Sequence, residues 1–177
     1  MRKAAVFLDG AYLDGVTREF GGLRVDLAGL SDGAVGSQEE RIRTYYYHSA
    51  PFQSSSPTPD ERRRYAAARA FFESLRFLPR FEVRLGSLAR RGETFEQKGV
   101  DVLLSVDLVR MSWGRQIDVA ILLSGDSDFV PAVQAAKDAG VVVRLFYSRS
   151  SVHNELLKVC DDRAELTREW LANFPRR

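Results

Sequence analysis

Residues 121–131 read "ILLSGDSDFVP". The run from Ile117 to Leu123 is short and rich in β-branched residues, the signature of a strand buried on both faces. It stops at Ser124-Gly125-Asp126-Ser127-Asp128, and a helical pattern follows over 128–139, closed by Gly140 as a C′ glycine. A buried strand running straight into a helix is the repeating unit of an α/β sheet. The junction also poses a chemical question. Two carboxylates one residue apart at a strand end repel each other unless something positive lies between them.

Working outward, the same alternation recurs. Ala4–Leu8 reads as a first strand, and Tyr12, Leu13, Val16 and Phe20 stripe a helix over 10–20. Residues 21–38 are Gly-rich and weakly patterned, so they read as loop with room for one short element. Arg41–Tyr47 is a second strand, and the Ser- and Pro-rich segment after it is a loop. Asp60 is placed to N-cap a helix running to about Phe77. Phe81–Leu88 is a third strand, after which 89–99 turns away, and 100–113 is helical. Val141–Tyr147 is a fifth strand, followed by helices over 151–159 and 163–174. Strands separated by helices predict a parallel sheet covered on both faces, a three-layer α/β domain spanning 1–177 with its motif-bearing core over 3–160.

Composition narrows the classes. At 177 residues and 45% hydrophobic, the chain can bury a real core without disulfide staples. A net charge of +2 excludes a histone-like polycation, although Arg supplies 22 of the 26 basic residues and clusters at Arg62-Arg63-Arg64 and Arg90-Arg91. Such forks suit phosphate, and equally suit a solvated helix face. The single cysteine, Cys160, excludes an internal disulfide and a cysteine-based zinc site, and fits a reducing cytoplasm. The apolar run at the N-terminus ends at Asp9, too short for a signal peptide or a membrane span.

Ligands of open α/β sheets bind beyond the carboxyl ends of the strands. Asp9 follows the first strand, Asp126 and Asp128 follow the fourth, and Asp101 lies in the first turn of the helix after Gly99. Each has an ordinary explanation alone: Asp128 as a helix cap, Asp101 in the field of a helix N-terminus, Asp9 as a turn residue. A shared divalent cation explains why all of them fall at one edge, and hard oxygen donors favour Mg2+ or Mn2+. No P-loop, GxGxxG, HExxH or GxSxG pattern competes. A phosphatase of the haloacid dehalogenase type would need an acid at residue 11, which is Ala.

"VFLDG" at 6–10, "KGVDV" at 98–102 followed by Asp107, and "LLSGDSDFVP" at 122–131 together resemble the NYN domain family, a branch of the PIN-like nuclease superfamily that includes LabA-like proteins. The resemblance implies a PIN-like fold with a central parallel sheet ordered 3-2-1-4-5. It also implies a ribonuclease with Mg2+ or Mn2+ held by Asp9, Asp101, Asp126 and Asp128. Ser124, Gly125 and Ser127 match the small residues that admit phosphate or metal, and Lys98 matches a lysine able to touch a substrate phosphate. Asp107 also matches, but six residues beyond Asp101 puts it on another helix face, as a supporting or structural group. Where many relatives read DGxN, this sequence reads DGAY, with Tyr12 replacing the amide whose hydrogen bond lies near the first metal.

The resemblance makes RNA the expected substrate, with Arg62, Arg63 and the 88–98 segment steering its backbone and Tyr46, Tyr47 or Phe95 as candidates to stack on bases, alternation within the strand placing at least one of the two tyrosines in the core. The alternative is a catalytically weak module that keeps the acidic pocket and binds RNA or a protein. In either reading a second copy or a protein partner is expected to supply target choice, and the apolar stripe Leu166, Trp170, Leu171 and Phe174 either closes the core or makes a dimer contact.

Overall fold

The computed structural model describes residues 1–91 and 94–176, and for 88–91 and 94–98 describes the backbone without the side chains. Its strands are β1 (Arg2–Asp9), β2 (Glu39–Ser49), β3 (Phe81–Arg91), β4 (Thr94–Lys98), β5 (Val119–Leu123), β6 (Val142–Tyr147) and β7 (Asp162–Glu165). They form one sheet in the order β4-β3-β2-β1-β5-β6-β7. The expected order of five strands is present as β3-β2-β1-β5-β6, all parallel, and β7 adds a sixth parallel strand. β4 pairs antiparallel to β3.

Helices cover both faces because the central strands are apolar on both. Ala4–Leu8 and Val119–Leu123 are completely buried. Alternate residues point opposite ways. Phe7, Tyr45, Tyr47, Leu122 and Leu145 therefore pack under α4 (Val100–Trp113), α5 (Val130–Asp138) and α6 (Asn154–Val159). Val6, Leu8, Tyr46, Ile121 and Leu123 pack under α1 (Gly10–Glu19), α2 (Leu27–Gly33), α3 (Pro59–Arg76) and α7 (Arg168–Leu171). Tyr46 and Tyr47 are thus both core residues and neither is free to stack on a base; the side chain of Phe95 lies outside the described residues.

Three local expectations change. The segment 89–99 does not simply turn away: β3 runs on to Arg91 and the chain returns as β4, with Ser87 opposite Lys98. A polar segment can make such a strand because its partner is the backbone of β3, not an apolar face. The helix expected over 163–174 is replaced by β7 and the single turn of α7. Residues 162–165 carry no apolar pattern, yet the open edge of β6 offers backbone partners, with Arg144 opposite Asp162. The apolar residues after β7 close the core: Leu166 and Leu171 are buried, and Trp170 lies 5.1 Å from Phe146 and 5.0 Å from Phe174, ring centre to ring centre. α3 is capped by Thr58, not Asp60, through a reciprocal capping box with Glu61 and Pro59 in the first turn. The short element allowed for within 21–38 is α2, capped by Asp26.

At the amino ends of the strands, Glu39 is buried and fully engaged. Arg144 donates to both its oxygens at 2.9 Å, Arg2 donates at 2.8 Å and the Gly36 N–H at 2.8 Å. The Arg144 guanidinium holds this carboxyl below the ordinary range, burial opposes it, and the Gly36 N–H and Arg2 add to the lowering. This cluster ties β1, β2 and β6 together at the sheet edge opposite the acidic residues considered next.

Candidate functional site

The register of β1 against β5 builds the first part of the site. Leu8 lies opposite Leu123, so Asp9 and Ser124 leave the sheet side by side. The Ser124 hydroxyl donates to Asp9 Oδ2 at 3.1 Å, and the Tyr12 N–H donates to Oδ1 at 3.0 Å, making Asp9 the N-cap of α1. Burial raises the pKa of Asp9, and these two donors counter it in part.

Beyond Ser124 the chain makes a one-turn 3-10 helix, Ser127–Phe129, capped by Asp126, whose Oδ1 accepts from the Asp128 N–H at 3.1 Å. Asp101 comes from a different direction. The β3–β4 hairpin returns the chain to the same edge, and Gly99, with φ of +87°, turns it into α4 without a side-chain cap. A left-handed turn of this kind suits glycine, which has no Cβ to clash. Asp101 then projects from the first turn of α4. One carboxylate oxygen from each of Asp101, Asp126 and Asp128 lies within 4.8 Å of the other two. The pKa of Asp101 is raised, first by burial and then by the charges of Asp126 and Asp128.

Asp9, Asp101 and Asp126 share a pocket of about 320 Å³ with Ala11, Tyr12, Gly125, Ser151 and His153. One wall is the segment after β6. The Ser148 N–H donates to the Tyr12 hydroxyl at 2.7 Å, and the His153 N–H donates to the Gly125 carbonyl at 2.9 Å. Gly125 is required for this approach: a Cβ there would fall 1.9 Å from the Ser151 carbonyl oxygen and 2.6 Å from the Tyr12 ring. Tyr12, which replaces the amide of DGxN, therefore holds the wall of the pocket through its hydroxyl.

The donor set fits a hard divalent cation. Three close carboxylates, with Asp9 in the pocket beside two of them, make no ion pair among the described residues, and their charge is what an oxygen-preferring divalent cation such as Mg2+ or Mn2+ would neutralise. Other expected site residues fall elsewhere. Ser124 is completely buried, its hydroxyl bonded to Asp9, while Ser127 is partly exposed in the 3-10 turn. Asp107 is buried beneath the sheet, accepting from the Tyr47 hydroxyl at 3.0 Å and from Arg110 at 3.2 Å, with Arg84 at 3.6 Å. Arg62 and Arg63 are exposed at the start of α3, donating to the Pro57 carbonyl and to Asp60, and do not line the acidic pocket. The Lys98 side chain lies outside the described residues. Ser151 and His153 reach the pocket from a loop that no sequence pattern singles out; the contact depends on β6 lying beside β5.

A family model, "NYN domain", matches residues 3–166. The chain belongs to the NYN domain family. NYN domains are part of the PIN-like nuclease superfamily, so the chain carries a nuclease-type module. The crystal structure of a protein of unknown function, VPA0982 from Vibrio parahaemolyticus RIMD 2210633, superposes on this NYN chain with a TM-score of 0.67. It is 20% identical over 96% of each chain, a likeness of fold. "Uncharacterized protein y4oD" of Sinorhizobium fredii (strain NBRC 101917 / NGR234) is 42% identical over 64 residues, 36% of this chain and 28% of that protein. No helix among the described residues is long and apolar enough to cross a membrane.

Proposed function

We propose that this NYN-domain chain is a metal-dependent ribonuclease that hydrolyses phosphodiester bonds of RNA. Asp9, Asp101, Asp126 and Asp128 would hold Mg2+ or Mn2+. The observation that carries this reading is the convergence of the Asp101, Asp126 and Asp128 carboxylates within 4.8 Å at the carboxyl edge of the sheet. Without a cation such a cluster repels an RNA phosphate. A bound divalent ion lowers the pKa of a water and offsets charge developing on the scissile phosphate.

The protein's own groups divide the remaining work. Asp9 is fixed between the Tyr12 N–H and the Ser124 hydroxyl, so its position is set before substrate arrives. Asp128 is exposed and is the carboxylate we assign to accept the proton of the attacking water. In-line attack then leaves a 5′-phosphate and a 3′-hydroxyl. The catalytically weak alternative draws on Tyr12 and on the near-neutral net charge of +2; the bond of the Tyr12 hydroxyl to the Ser148 N–H supports a positioning role for that residue, compatible with a complete acidic set.

The test is cleavage of end-labelled single-stranded RNA in Mn2+, Mg2+ or EDTA by the wild type and by the Asp126→Asn, Asp128→Asn double variant. Metal-dependent cutting that the double variant loses is the expected result. Folded wild-type protein that binds RNA without cutting it in either metal would replace the enzyme by a binding module.

A further inference from the structure

Among the described residues lining the acidic pocket, one has a basic side chain: His153, on the loop after β6. Its main chain is fixed on both sides. The His153 N–H donates to the Gly125 carbonyl at 2.9 Å, and its own carbonyl accepts from the N–H groups of Leu156 and Leu157 at 3.1 and 3.2 Å as α6 begins. Leu156 is completely buried and anchors that turn in the core. The imidazole is uncommitted by contrast. It does not cap α6, it makes no hydrogen bond or ion pair among the described residues, and the residue is exposed. A polar ring on a backbone held this firmly can meet a ligand without first reordering the chain.

Neighbouring donors are already engaged. The Tyr12 hydroxyl accepts the Ser148 N–H at 2.7 Å and is hydrogen-bonded to the Ser151 side chain. Arg149, the other base of this loop, is paired with Glu165 at 3.0 Å. Nor does the ring belong to the group of ligands that converge: Asp101, Asp126 and Asp128 come together without it. Mg2+ and Mn2+ take carboxylate oxygen in preference to imidazole nitrogen. His153 is therefore left to face whatever the cation holds. A phosphodiester drawn in by the ion keeps an oxygen on the side away from it, and that oxygen accepts a hydrogen bond. Imidazole carries one N–H when neutral and two when protonated, so the contact does not depend on its charge.

We infer that His153 is a substrate-binding residue of this site, donating an N–H to a non-bridging oxygen of the RNA phosphodiester held in the acidic pocket. The inference rests on the ribonuclease reading for the identity of its ligand, RNA, and not for turnover. A contact made alike before and during reaction strengthens binding without speeding the chemical step, so its loss falls on KM rather than kcat.

RNA affinity and metal affinity, read separately, test it. Fluorescence anisotropy of an end-labelled single-stranded RNA is followed in Ca2+, another oxygen-seeking cation. His153→Ala should bind about tenfold more weakly than wild type, and His153→Gln, which keeps an N–H donor, should regain part of that loss. Both variants should keep the wild-type Tm and its rise with Mn2+, because the ring holds neither the fold nor the ion. In Mn2+ the loss should appear in the KM for cleavage. An RNA affinity of His153→Ala within about twofold of wild type, equal losses in the two variants, or a lost Mn2+ response would overturn the inference. Wild-type protein that shows the expected affinities but cuts no RNA in Mn2+ would end the ribonuclease reading and leave this contact standing. Wild-type protein that binds no RNA would end both.

Discussion

Gly125→Ala gives a sharp test of how the acidic pocket is walled. The new Cβ would sit 1.9 Å from the Ser151 carbonyl oxygen, where contacts under 3.0 Å are essentially never seen. That atom is backbone, so no rotamer change relieves the clash: the 148–153 segment must retreat by about 1 Å or more, a main-chain shift of the kind overpacking produces. The retreat pulls on the His153 N–H bond to Gly125 and on the Ser148 N–H bond to Tyr12. Overpacking that moves backbone costs about 1–3 kcal/mol, and the closeness of this contact places the variant near the upper end. For a chain of this size about 3 kcal/mol lowers Tm by roughly 6–12 °C. Thermal unfolding followed by circular dichroism reads this directly, and Mn2+ titration of the same protein should show weaker binding. A Tm within about 2 °C of wild type, with unchanged Mn2+ response, would refute the packing of this segment on Gly125.

Mn2+ at a hundred times its Kd should stabilise the wild type by about 2.7 kcal/mol, roughly 5–11 °C in Tm. The Asp126→Asn, Asp128→Asn variant should lose that shift, and in EDTA should melt no lower than wild type because like charges have been removed. Tyr47→Phe removes a buried hydrogen bond to the Asp107 carboxylate and should cost about 2 kcal/mol in urea unfolding, without altering the Mn2+ response. Glu39 has a folded pKa below its unfolded value, so its contribution is complete above about pH 4.3 and disappears as pH falls through the folded value. Glu39→Gln should cost about 3 kcal/mol near neutral pH and flatten the acid limb of a stability–pH curve.

The sheet was legible where burial dictates sequence. Ala4–Leu8 and Val119–Leu123 are covered on both faces, and such strands must be apolar throughout. β4 and β7 were not legible, because each is held by the backbone of one neighbour and places no demand on side-chain pattern. The four acids were visible as strand-end and helix-start residues. Ser124 matched as a small residue near phosphate, yet its hydroxyl bonds Asp9, a role that follows from the Leu8–Leu123 register and not from either motif alone. Ser151 and His153 carry no local signal; they reach the pocket only once β6 and the loop beyond it are in place.

The bond between Ser124 and Asp9 joins positions 115 residues apart. At ribosomal rates of about 5–20 residues per second, that interval is on the order of ten seconds. Throughout it the emerging chain carries Asp9 and then Asp101, but no β5 to set them beside Asp126 and Asp128. On the proposed ribonuclease reading, a site assembled by strand pairing across such a distance would be inert towards the messenger that encodes it until most of its own translation is complete.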